Sequence, residues 1–150
     1  MAISINGYIK SRAIELEQLK NELTDFFDSN NINTEKSNES ILLSNIVLNN
    51  ELICYFIERS DMWLLDDKND KEYEYTYQTE ISFCINKICQ DGNYNNNIVD
   101  NESRIQDFFK IISQKYKCEI LIFYLDEPYY ILNCGKRIEL MDIDIKKKLL

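Results

Sequence analysis

The chain has 150 residues, 45% of them hydrophobic, and a formal net charge of −9. That is enough apolar material for one ordinary domain with a sizeable core. The charge sets the surface against nucleic acid and anionic membranes, which are polyanions, and leaves a basic partner or plain solubility as its use. There is no His, so Ser-His-Asp triads, Cys-His dyads and His-containing zinc sites cannot be built from this chain, and three glycines are too few for a phosphate-cradling loop.

The first element expected is an amphipathic helix over Tyr8 to Phe27, because Ile9, Leu16, Leu19, Leu23 and Phe26 recur at helical spacing. The same spacing would suit a coiled coil, but a helix packed on a sheet is the commoner arrangement. Residues Asp28 to Glu39 are polar and aperiodic and read as a loop. Ile41 to Leu48 and Glu51 to Glu58 flank Asn49-Asn50, which predicts a hairpin, since Asn tolerates positive φ.

Ser60 to Lys71 holds the one Trp and an acidic turn. Tyr73, Tyr75, Tyr77, Thr79, Ile81, Phe83 and Ile85 then alternate with polar residues, a strand with one buried and one wet face. Its second half is ambiguous, because Ile81, Ile85 and Ile88 also fit a helix. The tyrosines either line a pocket or cover the sheet beneath a helix.

After an Asn-rich loop at 90–101, Ile105, Phe108, Phe109, Ile112 and Tyr116 predict a second helix, capped by Asp100 or Asn101. Cys118 to Tyr124, Tyr129 to Cys134 and Arg137 to Leu140 read as strands, with turns at Asp126–Pro128 and at Gly135-Lys136. Tyr129 and Tyr130 fall on opposite faces, so at most one is core. A short final helix capped by Asp142 would place Lys146, Lys147 and Lys148 at its favourable C-terminal end. Short turns between neighbouring strands imply a mainly antiparallel sheet with helices packed on one face, an α+β fold in a single domain over 1–150.

Cys54, Cys84, Cys89, Cys118 and Cys134 are odd in number, contain no CxxC and sit in or beside apolar segments. They read as small hydrophobes in a reducing compartment, the cytoplasm, and not as a disulfide framework. Lys10 and Arg12 follow too short an apolar stretch for a signal peptide, and runs such as Ile120 to Leu125 are too short to span a bilayer.

Two stretches carry candidate chemistry. Asp91 to Glu102 (DGNYNNNIVDNE) matches a calcium loop at Asp91, Asn93, Asn95, Asn97, Ile98 and Glu102 but has Asn96 where a glycine belongs. A chance match is expected in so Asn-rich a chain, and no metal or other cofactor is assigned. The second is the acidic-aromatic cluster of Asp61, Trp63, Asp66, Asp67, Asp70, Glu72, Tyr73 and Glu74, extended along the strand's wet face by Glu80. Carboxylates steer a basic protein and aromatics anchor it. A solvated turn with Trp63 in the core reads equally well.

That acidic stretch, together with the closing helix–hairpin unit FFKIISQKYKCEILIFYLDEPYYIL, resembles bacterial immunity proteins of contact-dependent growth inhibition and related polymorphic toxin systems. The resemblance is one of general character and implies a non-catalytic protein that covers the active site of a cognate basic toxin, often a nuclease, with no nucleic-acid or membrane partner. A phage-encoded inhibitor of a host nuclease would read the same way. A calcium-responsive module built on 91–102 is the alternative from another class.

Overall fold

Ala2 to Ile9 alternates Ile3, Ile5, Gly7 and Ile9 with Ser4, Asn6 and Tyr8, and in the computed structural model this period of two forms the first strand, β1. The structure describes the backbone of residues 2–11, 13–27, 34–36, 40–48, 51–66, 77–87, 101–140 and 145–149, and the side chains of 3–11, 13–27, 53–59, 77–86 and 101–140. The elements that follow are α1 (Leu16–Phe27), β2 (Thr34–Lys36), β3 (Ser40–Leu48), β4 (Glu51–Asp66), β5 (Tyr77–Lys87), α2 (Asn101–Lys115), β6 (Glu119–Tyr124), β7 (Glu127–Asn133), β8 (Lys136–Glu139) and β9 (Ile145–Leu149).

The described strands make one antiparallel sheet in the order β2-β3-β4-β5-β1-β6-β7-β8, with β9 added to the second half of β4. A single row crosses seven of them: Ile41, Ile57, Ile81, Gly7, Ile122, Tyr130 and Glu139. The α+β class, with an antiparallel sheet and helices on one side, is therefore as expected. The strands of the expected hairpin pair, with Leu48 opposite Glu51, while Asn49-Asn50 lie outside the described residues.

Both helices cover the face that carries Ile5, Ile9, Ile53, Tyr55, Ile57, Ile81, Phe83 and Ile85, and they seal one core with Leu19, Leu23, Phe27, Ile105, Phe108 and Ile112. They run antiparallel. Phe26 meets Phe108 at 5.5 Å, Arg104 lies over the Phe27 ring at 5.6 Å, and Glu22 at the other end accepts from Lys115 and Tyr116.

Three expectations need correction. Helix α1 starts at Leu16 and not at Tyr8, because the Gln18 side chain accepts from the Glu15 backbone N–H (2.9 Å) and fixes the first turn there. Arg59 holds the preceding connection by donating to the Ile14 carbonyl (2.8 Å) and to Thr79 Oγ1 (2.5 Å). The expected loop at Asp28–Glu39 contains β2, since Thr34 to Lys36 find partners in Ile41 to Leu43. The expected final helix is a strand: Lys146, Lys147 and Lys148 pair with Leu65, Leu64 and Trp63, and tertiary pairing outweighs a short helix with no packing face.

The tight turns sit one residue earlier than expected. Leu125-Asp126 (φ 52° and 64°) and Cys134-Gly135 (φ 50° and 84°) both have the double positive φ of two-residue hairpins.

A second apolar cluster, Tyr8, Tyr77, Leu121, Phe123 and Ile131, is buried on the face opposite the helices, flanked by Ile138 and Leu140. Strand β4 is irregular between Arg59 and Met62, and its second half pairs with β9. Tyr77 pairs with Met62 just past that irregularity and lies in this second cluster, its hydroxyl donating to Glu119 Oε2 (2.8 Å). It does not sit beneath a helix.

Candidate functional site

Beside the second apolar cluster, the helix-free face turns polar where β1, β5 and β4 run together. Strand alternation sends the residues between the core positions to this side. Three cross-strand rows result: Tyr8–Glu80–Glu58, Asn6–Ser82–Phe56 and Ser4–Cys84–Cys54.

The first row sets two carboxyl groups directly opposite each other, an arrangement that repels when both are ionised. Glu80, expected on a wet face, is only 8% exposed. The neighbouring apolar cluster around Tyr8 takes water away from it. Asn6 Nδ2 donates to Glu80 Oε1 (2.9 Å). Burial holds the Glu80 carboxyl above the usual carboxylate range, and its hydrogen bond with Glu58, which needs a shared proton, raises it further. Burial and the Glu80 charge likewise keep the Tyr8 phenol protonated far into the alkaline range. The row thus sets the Glu80 carboxyl opposite Glu58, framed by an amide and a phenol. Arg59, the next residue on β4, sends its guanidinium to Thr79 and Ile14 on the helix side.

The raised Glu80 value has a definite pH consequence. The fold favours the protonated form, so its contribution is complete below the ordinary value of 4.5 and is lost as pH rises through the raised one. Glu80→Gln removes the charge and keeps an amide in place. The variant is expected to exceed the wild type in stability by about 1–2 kcal/mol near pH 7 and to match it near pH 4. Urea unfolding at both pH values checks this, and an offset independent of pH would refute it.

The rest of the expected acidic cluster is placed less fully. Asp61, Trp63 and Asp66 belong to the second half of β4, with Trp63 opposite Lys148 and Asp66 opposite Ile145, but their side chains lie outside the described residues. Asp67, Asp70, Glu72, Tyr73 and Glu74 lie outside them altogether. So do Asp91, Asn93, Asn95, Asn97 and Ile98 of the calcium-loop match. Glu102, its last position, accepts from the Tyr124 hydroxyl (2.8 Å) in the first turn of α2. Among the described residues no group of three or more metal-ligating side chains converges.

The cysteines are not uniformly buried. Cys118 is core, Cys54 and Cys84 are half-buried, and Cys134 is exposed at a hairpin tip where positive φ turns it out of the sheet. Cys89 lies outside the described residues. Sequence reasoning missed Asn6, Tyr8, Glu58 and the facing of Cys54 by Cys84, because only strand register brings them together.

A shallow groove of about 230 Å³ between α2 and β7–β8 is lined by Gln106, Asp107, Lys110, Tyr130 and Arg137 among others. Arg137 stacks on Tyr130 at 4.0 Å, and burial still pushes the Tyr130 phenol up to about 12, so it keeps its proton at neutral pH. Among the described helices none is long and apolar enough to cross a membrane. No family model matches this chain, and neither a curated protein nor a solved structure matches it.

Proposed function

We propose that the chain is a non-catalytic inhibitor of the immunity type, acting in the cytoplasm, which neutralises a basic protein toxin by covering its active site, with a nuclease as the foremost target. Charge distribution carries the reading. Between Asp61 and Glu74 six carboxylates stand against Lys68 and Lys71, a net −4 of the chain's −9. This stretch connects the end of β4 at Asp66 to the start of β5 at Tyr77, the two strands that share the most extensive pairing in the sheet. Its carboxylates take the role that nucleic-acid phosphates would have in a basic groove.

The test is capture from the native host with the tagged wild-type protein beside Asp66→Lys with Asp67→Lys. One basic protein is expected to co-purify stoichiometrically, and the double variant is expected to bind it at least about a hundredfold more weakly while keeping its circular dichroism spectrum. Association should slow as salt rises, because charge supplies the encounter. Equal capture by both forms would sink the assignment to this edge, and absence of any stoichiometric basic partner would sink the inhibitor reading.

A further inference from the structure

Four of the five cysteines stand in two cross-strand pairs. Cys54 on β4 faces Cys84 on β5 in direct register. Cys118 and Cys134 extend the β6–β7 ladder one step past Glu119 and Asn133, with the Cys134 N–H donating to the Cys118 carbonyl (3.4 Å).

Directly opposed residues in an antiparallel pair have Cα atoms roughly 4.5–5.5 Å apart with side chains on one face. That lies within the separation a disulfide spans. The two pairs differ in their surroundings. Cys54 and Cys84 are half-buried on the helix-free face, in reach of a small reagent. Asn86 Nδ2 approaches Cys84 Sγ at 3.8 Å and helps fix the sulfur's position. On its other side Cys54 faces the β3 bulge between Leu43 and Ile46, where two β3 residues oppose it alone and the regular ladder is interrupted. Cys118 instead lies in the helix-side core, and burial, with a smaller contribution from Cys134, pushes its thiol up to about 11. Little of it is thiolate at neutral pH, and the thiolate is the nucleophile.

We propose that Cys54 and Cys84 form a redox-active dithiol that low-molecular-weight disulfides of the glutathione class oxidise to an intramolecular cross-strand disulfide. One cysteine thiolate attacks a sulfur of the small disulfide, whose S–S bond breaks, so that one small thiolate leaves and a mixed disulfide forms. The opposite cysteine then loses its proton, attacks the protein-side sulfur and expels the second small thiolate. The protein gives up two electrons and two protons, and the small disulfide takes both and becomes two thiols. The new bond clamps β4 to β5 in mid-sheet. The chemistry is independent of whether the acidic connection between these strands binds a toxin.

The test uses the full chain, folded, with oxidised glutathione, followed by alkylation of remaining thiols and peptide mapping. The Cys54–Cys84 linkage is expected to exceed Cys118–Cys134 by at least about tenfold. Cys54→Ser and Cys84→Ser should each abolish it and retain one glutathione on the surviving partner. Absence of the linkage in the folded wild type, or a mixture of pairings equal to that obtained in urea, overturns the proposal. Single variants that keep their circular dichroism yet take up no glutathione overturn it as well.

Discussion

Phe83→Ala is expected to cost about 3–5 kcal/mol, among the largest effects of any truncation at the described residues. Phe83 is fully buried near the middle of β5 and stands where both helices meet the sheet. Its ring lies 5.9 Å from Phe27, 5.6 Å from Tyr55, 6.0 Å from Phe108 and 5.5 Å from Phe109. Removing it takes the shared neighbour from four aromatic side chains drawn from α1, β4 and α2. The edge-to-face pairs with Phe108 and Phe109 contribute beyond plain burial. None of the four can move into the gap without leaving its own strand or helix, so the cavity stays open and its cost adds to the transfer loss. Against a total stability on the order of 5–15 kcal/mol, that is a large fraction. Urea unfolding should show the midpoint fall by about 2 M with the slope unchanged. Phe83→Leu should cost less than about 1.5 kcal/mol, since it keeps most of the volume. A loss below about 1 kcal/mol for the alanine variant would mean that Phe83 is not the hub of this core.

The second large effect is at Gly7, where adding one methyl group should destabilise by about 2 kcal/mol. Replacing a strand glycine with alanine ordinarily helps by up to about 1 kcal/mol, because the unfolded chain loses freedom. Here a Cβ would meet Phe109 Cε1 at 2.2 Å, Cζ at 2.6 Å and Cδ1 at 2.7 Å. Phe109 is fully buried, and α2 holds it down on β1, so the ring has no open space to enter. The helix must lift or the ring must leave its rotamer, and either exceeds the entropic gain. The control is the double variant with Phe109→Leu, which should recover at least half of the loss. Residues in contact couple in this way, and distant ones do not. Additive losses, or a neutral Gly7→Ala, would show that helix and strand are not held this close.

Elements whose sequence period is local and unbroken were readable. The paired strands β3 and β4, helix α2 and strands β6 to β8 each carry their own pattern of apolar residues, and each forms where that pattern lies. Tyr129 and Tyr130 divide as alternation requires, one exposed and one buried. Where two periods overlap, the reading failed. Ile9 fits both the alternation of β1 and the helical spacing of Leu16, Leu19 and Leu23, and only pairing with Thr79 on one side and Ile120 on the other assigns it to a strand. The C-terminal lysines fit a helix end in isolation. They become a strand because β4 runs on to Asp66 and pairs with them there.

The site divides along the same line. The −9 charge, the absence of His and the concentration of carboxylates between Asp61 and Glu74 are properties of composition, and they direct the functional reading without any coordinates. That Glu80 is buried against Glu58, that Asn6 and Tyr8 join them, and that Cys54 faces Cys84 depend on register between strands far apart in the chain. Period two says which residues share a face of one strand, but it says nothing of which strand lies beside it. Neighbours are chosen by the total burial of the whole sheet under two helices, and a one-residue slip in that choice would have exchanged every pair named here.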